Sequence, residues 1–210
     1  LSLQPSTPPA PLESEASSWI ELVDGSRLEA TAVTIKEGVM EATLRAGITV
    51  KIKTRDIQFT RLVELVARLN DFQEIVTAEA EGDVLIIRRP SGALDELNGI
   101  IHSLDSEILV FEFDNEKIQV ERKKIAGIRY FQAASRTFPK TLCVATTAGD
   151  NRLVASSLVL SDEQLTITCA AGPEVTIPLD QLRKLDFSAA NQVYLSDLKP
   201  ESVDWIPYLS

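Results

Sequence analysis

The chain has 210 residues, and its 21 Lys and Arg against 31 Asp and Glu give a formal net charge of −10. A surface this acidic repels the phosphates of nucleic acids and of anionic membranes, which recruit proteins mainly through Lys and Arg. At 44% apolar and 25% charged residues the composition is that of a chain that folds, while one His, two Cys and one Met leave little material for a metal centre or imidazole catalysis.

Residues 1–18 hold Pro5, Pro8, Pro9 and Pro11 among Ser, Thr, Ala and Glu, and read as a disordered, Pro-rich linker. A polyproline ligand for an aromatic groove is the sharper alternative. Leu1 stands where a new chain would carry Met, so a signal peptide would fall outside this sequence. No apolar run approaches the roughly 20 residues that a membrane-crossing helix needs.

From Trp19 onward, short segments alternate apolar and polar residues between Gly-containing turns. Examples are Ile20–Val23, Leu28–Ile35, Val39–Leu44 and Ile48–Ile52, separated by Asp24-Gly25, Glu37-Gly38 and Ala46-Gly47. A period of two between tight turns predicts strands joined by hairpins.

This pattern repeats. Segment 27–57 slides without a gap onto 152–182 at an offset of 125, with eight identities: Arg27/Arg152, Leu28/Leu153, Ala30/Ala155, Thr43/Thr168, Ala46/Ala171, Gly47/Gly172, Val50/Val175 and Ile52/Ile177. Average composition would produce roughly two. A middle copy aligns with the last at an offset of 57, placing Ile101 over Leu158, Ile108 over Leu165, Val110 over Ile167, Val120 over Ile177 and Ile128 over Leu185. The expectation is a mainly β protein of three tandem small five-stranded barrels of the Sm-like type, spanning 19–62, 82–131 and 141–188. Units of about 45 residues lie near the lower limit for an independent core, so they are expected to pack on one another and to be marginal in isolation.

Between the first two units, Leu62-Val63, Leu65-Val66, Leu69, Phe72 and Ile75 recur at spacings of three and four, which predicts a connecting helix of about four turns within 63–81. It would cover a barrel mouth or wedge between units, with a partner-binding helix as the alternative. Residues 189–210 read as a linker or the start of a further domain, since new aromatics, Trp205 and Tyr208, arrive after the repeats end.

The search for chemistry yields no catalytic, cofactor-binding or metal-binding residue. His102 alternates against Ile101 and reads as an ordinary strand residue. The acidic pairs Asp95-Glu96, Glu112 with Asp114, and Asp162-Glu163 fall at turns or on polar faces, with Glu112 and Asp180 less settled. Arg122-Lys-Lys124, with Arg129 on the next strand, reads as a solvated turn, contact with an acidic partner or a phosphate being the alternative. Cys169 shares parity with Leu165 and Ile167 and Cys143 does not share that of Leu142 and Val144; both read as free, packed thiols, a disulfide being the alternative.

Two segments carry resemblances. The middle unit, through Gly82-Asp-Val-Leu-Ile-Ile, Leu97-Asn-Gly-Ile-Ile, Val110-Phe-Glu-Phe-Asp-Asn and Ile125-Ala-Gly-Ile, resembles the Sm-like small barrel in strand spacing, without the basic RNA contacts of true Sm proteins. The tail Val193-Tyr-Leu-Ser-Asp-Leu-Lys-Pro-Glu-Ser202 looks like the lead-in to the novel putative carbohydrate-binding module of bacterial envelope and secreted proteins. That resemblance implies an exported accessory region (periplasmic, envelope or secreted). The functional expectation is a non-catalytic scaffold or protein-interaction module, needing no cofactor, whose partner is a protein or, through a neighbouring domain, a glycan. A carbohydrate-binding or glycan-processing accessory role is the alternative, and an Sm-like RNA-binding role ranks last because of charge.

Overall fold

The structure, a computed structural model, describes residues 18–45, 47–63, 68–132 and 136–188. The Pro-rich segment 1–17 and the tail 189–210 lie outside the described residues, so the expectations placed there are not addressed.

The protein is mainly β, with one α-helix among the described residues. The first unit runs β1 (Ser18–Leu22), β2 (Arg27–Lys36), β3 (Val39–Leu44), β4 (Thr49–Lys53), a single 3-10 turn at Thr54–Asp56, and β5 (Ile57–Arg61). After α1 (Leu69–Thr77) the second unit follows: β6 (Asp83–Arg88), β7 (Leu94–Leu104), β8 (Ile108–Phe113), β9 (Glu116–Glu121), a 3-10 turn at Arg122–Lys124, and β10 (Ile125–Arg129). The third comprises β11 (Cys143–Thr147), β12 (Arg152–Ser161), β13 (Gln164–Cys169), β14 (Glu174–Pro178), a 3-10 turn at Leu179–Gln181, and β15 (Leu182–Asp186). Each boundary of the third unit lies 125 residues after its counterpart in the first, so the gapless repeat is also a repeat of elements.

Within each unit the strands form an antiparallel meander whose last strand returns to pair with the first: β5 with β1, β10 with β6, and β15 with β11. The long second strand carries a bulge at Thr31 in the first unit and at Ser156 in the third, where an extra residue bends the strand.

The middle unit corrects part of the sequence alignment. Its bulge falls at His102, between the pairs Ile101↔Phe111 and Ser103↔Val110. The following turn is one residue shorter: four residues separate the paired Glu112 and Lys117, against five between Thr43 and Thr49. One residue gained and one lost leave the offset of 57 valid on either side but wrong across β8. The buried residues are therefore Leu109 and Phe111, which take the places of Leu165 and Ile167; Ile108 and Val110 are only half-buried. With a side-chain period of two, a slip of one residue inverts the whole strand.

The units are hydrogen-bonded into one fifteen-stranded sheet. The first and second join edge to edge, β5 against β10, with Thr60 opposite Ile128, and again where Ile35 of β2 lies opposite Leu104 of β7. Thr60 and Ile128 are counterparts, and the flanking backbone bonds are reciprocal: Leu62 N–H donates to Ala126 C=O at 2.8 Å and Tyr130 N–H to Gln58 C=O at 3.1 Å. The two units are thus related by a local twofold. The first and third meet where Arg27 pairs with its own counterpart Arg152. There Glu29 N–H donates to Asn151 Oδ1 at 2.7 Å and Val154 N–H to Ser26 Oγ at 2.8 Å, a second reciprocal set. The main hydrophobic core is contiguous through all three units, from Ile20, Leu28 and Ile52 through Leu85, Leu109 and Phe111 to Leu153, Ile167 and Ile177.

The helix is shorter than expected. It covers Leu69–Thr77, nine residues, while Leu62 and Val63 follow β5 and Leu65 and Val66 lie outside the described residues. Its apolar face, Phe72 and Val76, closes a second, smaller core with Phe59 of β5, Val84 and Ile86 of β6, and Ala126 of β10. It therefore clamps the outer face of the junction between the first two units. Gly127 permits this approach: a Cβ there would lie 2.5 Å from Thr60 O and 2.6 Å from the Phe72 ring.

Candidate functional site

Strand parity sets the outer face of the first unit. Trp19 and Glu21 project from the same side of β1, Phe59 and Arg61 from the facing side of β5, and the register sets Trp19 opposite Arg61 and Glu21 opposite Phe59. Helix α1 covers only one flank of this face, so its edge leaves a cleft of about 300 Å³ lined by Trp19, Glu21, Arg27, Phe59, Arg61, Leu69, Phe72 and Gln73.

Inside it, Phe59 and Phe72 meet edge to face with centroids 5.7 Å apart. The Arg61 guanidinium lies over the Trp19 ring, 5.6 Å from its centroid, which holds both side chains in place through the ring's negative face. At the rim Arg27 Nε donates to Glu21 Oε2 at 2.9 Å, and Leu69 is exposed. An apolar floor ringed by a few fixed charges suits a side chain or short segment with one apolar group and one polar end.

The residues singled out in the sequence are scattered. His102 sits at the β7 bulge, and its Nε2 lies 2.8 Å from Glu112 Oε2 on β8, so Glu112 is the partner of the lone histidine. Asp114, Asp162 and Glu163 occupy hairpin turns with positive φ of 50°, 49° and 60°. Asp95 pairs with Arg89 across the β6–β7 hairpin; Asp180 lies in the 3-10 turn before β15. No group of three His, Cys, Asp or Glu converges as a metal site among the described residues.

The basic cluster corrects the reading of a solvated turn. Arg122 Nη1 donates to Val33 C=O of the first unit at 3.0 Å and to Asp105 C=O at 3.1 Å, and its burial lowers its pKa from the ordinary arginine value. It is a link between units; only Lys123 and Lys124 face solvent, where both pair with Glu121. Cys143 and Cys169 are free and buried in the main core. Both flank Ala155, in the registers Cys143↔Ala155 and Ala155↔Cys169, as free, packed thiols should. Burial, with Asp24 nearby, pushes the Cys169 thiol up to about 12, and burial beside Asp186 raises that of Cys143.

Sequence reasoning missed the cleft. The signal was available as aromatic and charged residues two apart, Trp19 with Glu21 and Phe59 with Arg61, but only the β1–β5 register and the helix bring them together. No helix among the described residues is long and apolar enough to cross a membrane. Comparison with protein-family models, curated proteins and solved structures finds no match for the chain.

Proposed function

We propose that the protein is a non-catalytic interaction scaffold of three small tandem barrels, belonging to an exported multidomain protein, and that the cleft beside α1 is where it holds a segment of a protein partner. The barrel reading is supported by the thrice-repeated meander in which a 3-10 turn carries the last strand back to the first. The export reading rests on the resemblance of segment 193–202 to the lead-in of a carbohydrate-binding module.

The observation that carries the binding reading is the fixed Trp19–Arg61 pair on an apolar floor, with Glu21 and Arg27 at the rim. A partner segment would lay an aliphatic or aromatic side chain against Trp19, Phe59 and Leu69 and present a carboxylate or backbone carbonyl to Arg61. Titrating a displayed peptide library against the chain, with hits mapped by amide and indole NMR shifts, tests it. Hits should shift the Trp19 indole and lose about tenfold or more in affinity, some 1.4 kcal/mol, in Trp19→Ala and Arg61→Ala. Turnover of a substrate panel, abolished by His102→Ala or Glu112→Gln, would replace the scaffold reading with an enzymatic one. Glycan binding by the chain alone, unaffected by Trp19→Ala, would move the function to the carbohydrate-associated reading.

A further inference from the structure

The first unit buries, against the second, a surface whose counterpart on the third unit is bare. Ile35 at the end of β2 is 2% exposed, whereas Leu160, its counterpart on β12, is 60% exposed, and its neighbour Val159 is 58% exposed. Leu179 and Phe187 at the same edge are also exposed. Strand β5 has β1 on one side and β10 on the other; among the described residues β15 has only β11. The side of β15 that would meet a neighbour therefore carries an open row of backbone donors and acceptors beside an apolar patch.

We propose that this edge joins two copies of the chain through their third units, β15 against β15, antiparallel about a twofold axis at Leu185. The inference goes beyond the cleft reading and does not rest on it. The internal junction of the first two units supplies the geometry. There Thr60 faces its counterpart Ile128, while Phe59 faces Arg129 and Arg61 faces Gly127. Carried to the third unit, Leu185 faces its own copy, and Lys184 and Asp186 each face the other type on the partner subunit. Phe187 N–H then donates to the Arg183 carbonyl of the partner subunit, as Tyr130 does to Gln58. Leu160 meets its own counterpart in the place where Ile35 meets Leu104.

The charges carry the choice of occupant. A lysine alone on an edge strand discourages pairing. A lysine and an aspartate placed symmetrically about Leu185 instead make the edge complementary to itself in the twofold register. Among the described residues they pair with each other along the strand, Lys184 Nζ to Asp186 Oδ2 at 2.7 Å, while Asp186 Oδ1 accepts the backbone N–H and the hydroxyl of Ser188. Their counterparts in the first unit are Phe59 and Arg61, whose face α1 flanks; no helix covers β15 among the described residues. A two-chain sheet here would keep a polar outer face and join the Leu185 side of the two cores. Such a contact is isologous and closes at two subunits.

Sedimentation equilibrium of the full chain tests this together with Lys184→Asp, at an exposed position, and Asp186→Lys, at a half-buried one, the folding of each checked by circular dichroism. The wild type is expected to be a dimer. Each single variant sets like charges opposite one another and should weaken association by about tenfold or more. An equimolar mixture of the two, one edge all acidic and the other all basic, should recover the dimer. A monomer at every accessible concentration overturns the proposal and leaves the edge to residues 189–210 or another partner. A dimer that both single variants form as well as the wild type overturns it too, by placing the contact elsewhere.

Discussion

Gly127 has no side chain because the chain has no room for one: β5 and the Phe72 ring close on it from both sides. Gly127→Ala should therefore push α1 off the junction and cost about 1–3 kcal/mol, read as a lower urea midpoint at unchanged slope. The two thiols make a different prediction. The Cys169 pKa is raised in the fold, so its neutral form stabilises the native state fully below the ordinary thiol value of 9.0, and that contribution is lost as pH rises toward about 12. Tyr130, also raised by burial and then by Asp83, acts in the same direction at higher pH. Stability measured by denaturant should fall steadily above pH 9. A thiol reagent should label neither cysteine in the native state and both after unfolding.

Single residues also decide how elements meet. Asn151 and Ser26 are counterparts whose side chains each receive a backbone N–H from the other unit, and both are buried. Asn151→Ala would orphan the Glu29 N–H at the junction and should cost about 1–3 kcal/mol, with loss of amide protection for residues at both ends of the pairing as the readout. The element scale is also where reading the sequence succeeded and failed most clearly. The strands of the first and third units were legible to within one or two residues, and their alignment at an offset of 125 to the residue, because identical turn residues at Gly47 and Gly172 hold the same period in both. The middle unit was legible up to His102 and again from β9 onward, but not across β8. A bulge leaves no mark in an apolar pattern, and the shortened Asp114-Asn115 turn restored the offset, so the slip across β8 stayed hidden. The helix was overextended because Leu62 and Val63 fit a helical spacing, although backbone bonding continues β5 to Leu62, whose N–H donates to Ala126. The cleft was illegible for a related reason: Trp19 and Arg61 lie 42 positions apart and become neighbours only through register.

The whole molecule is organised as counterparts facing counterparts, the first unit central, with the second at one end of β2 and the third at the other. Because a single core runs through all three, unfolding should be one cooperative transition for the described region, with coincident traces from fluorescence and circular dichroism. The segment 19–62 alone would expose Val33, Ile35 and the β5 edge at once, and should show no cooperative melt.

What the amino-acid sequence determined by itself is the unit: period-two alternation, turn glycines and their recurrence specify a five-stranded meander, because these are local features read within a few residues. Which surfaces those units turn toward one another was decided only in three dimensions. Val33 and Leu158, or Ile35 and Leu160, are alike in the sequence, yet Ile35 is buried and Leu160 bare. Burial depends on which neighbour arrives, and that neighbour is supplied by pairing between strands far apart in the chain.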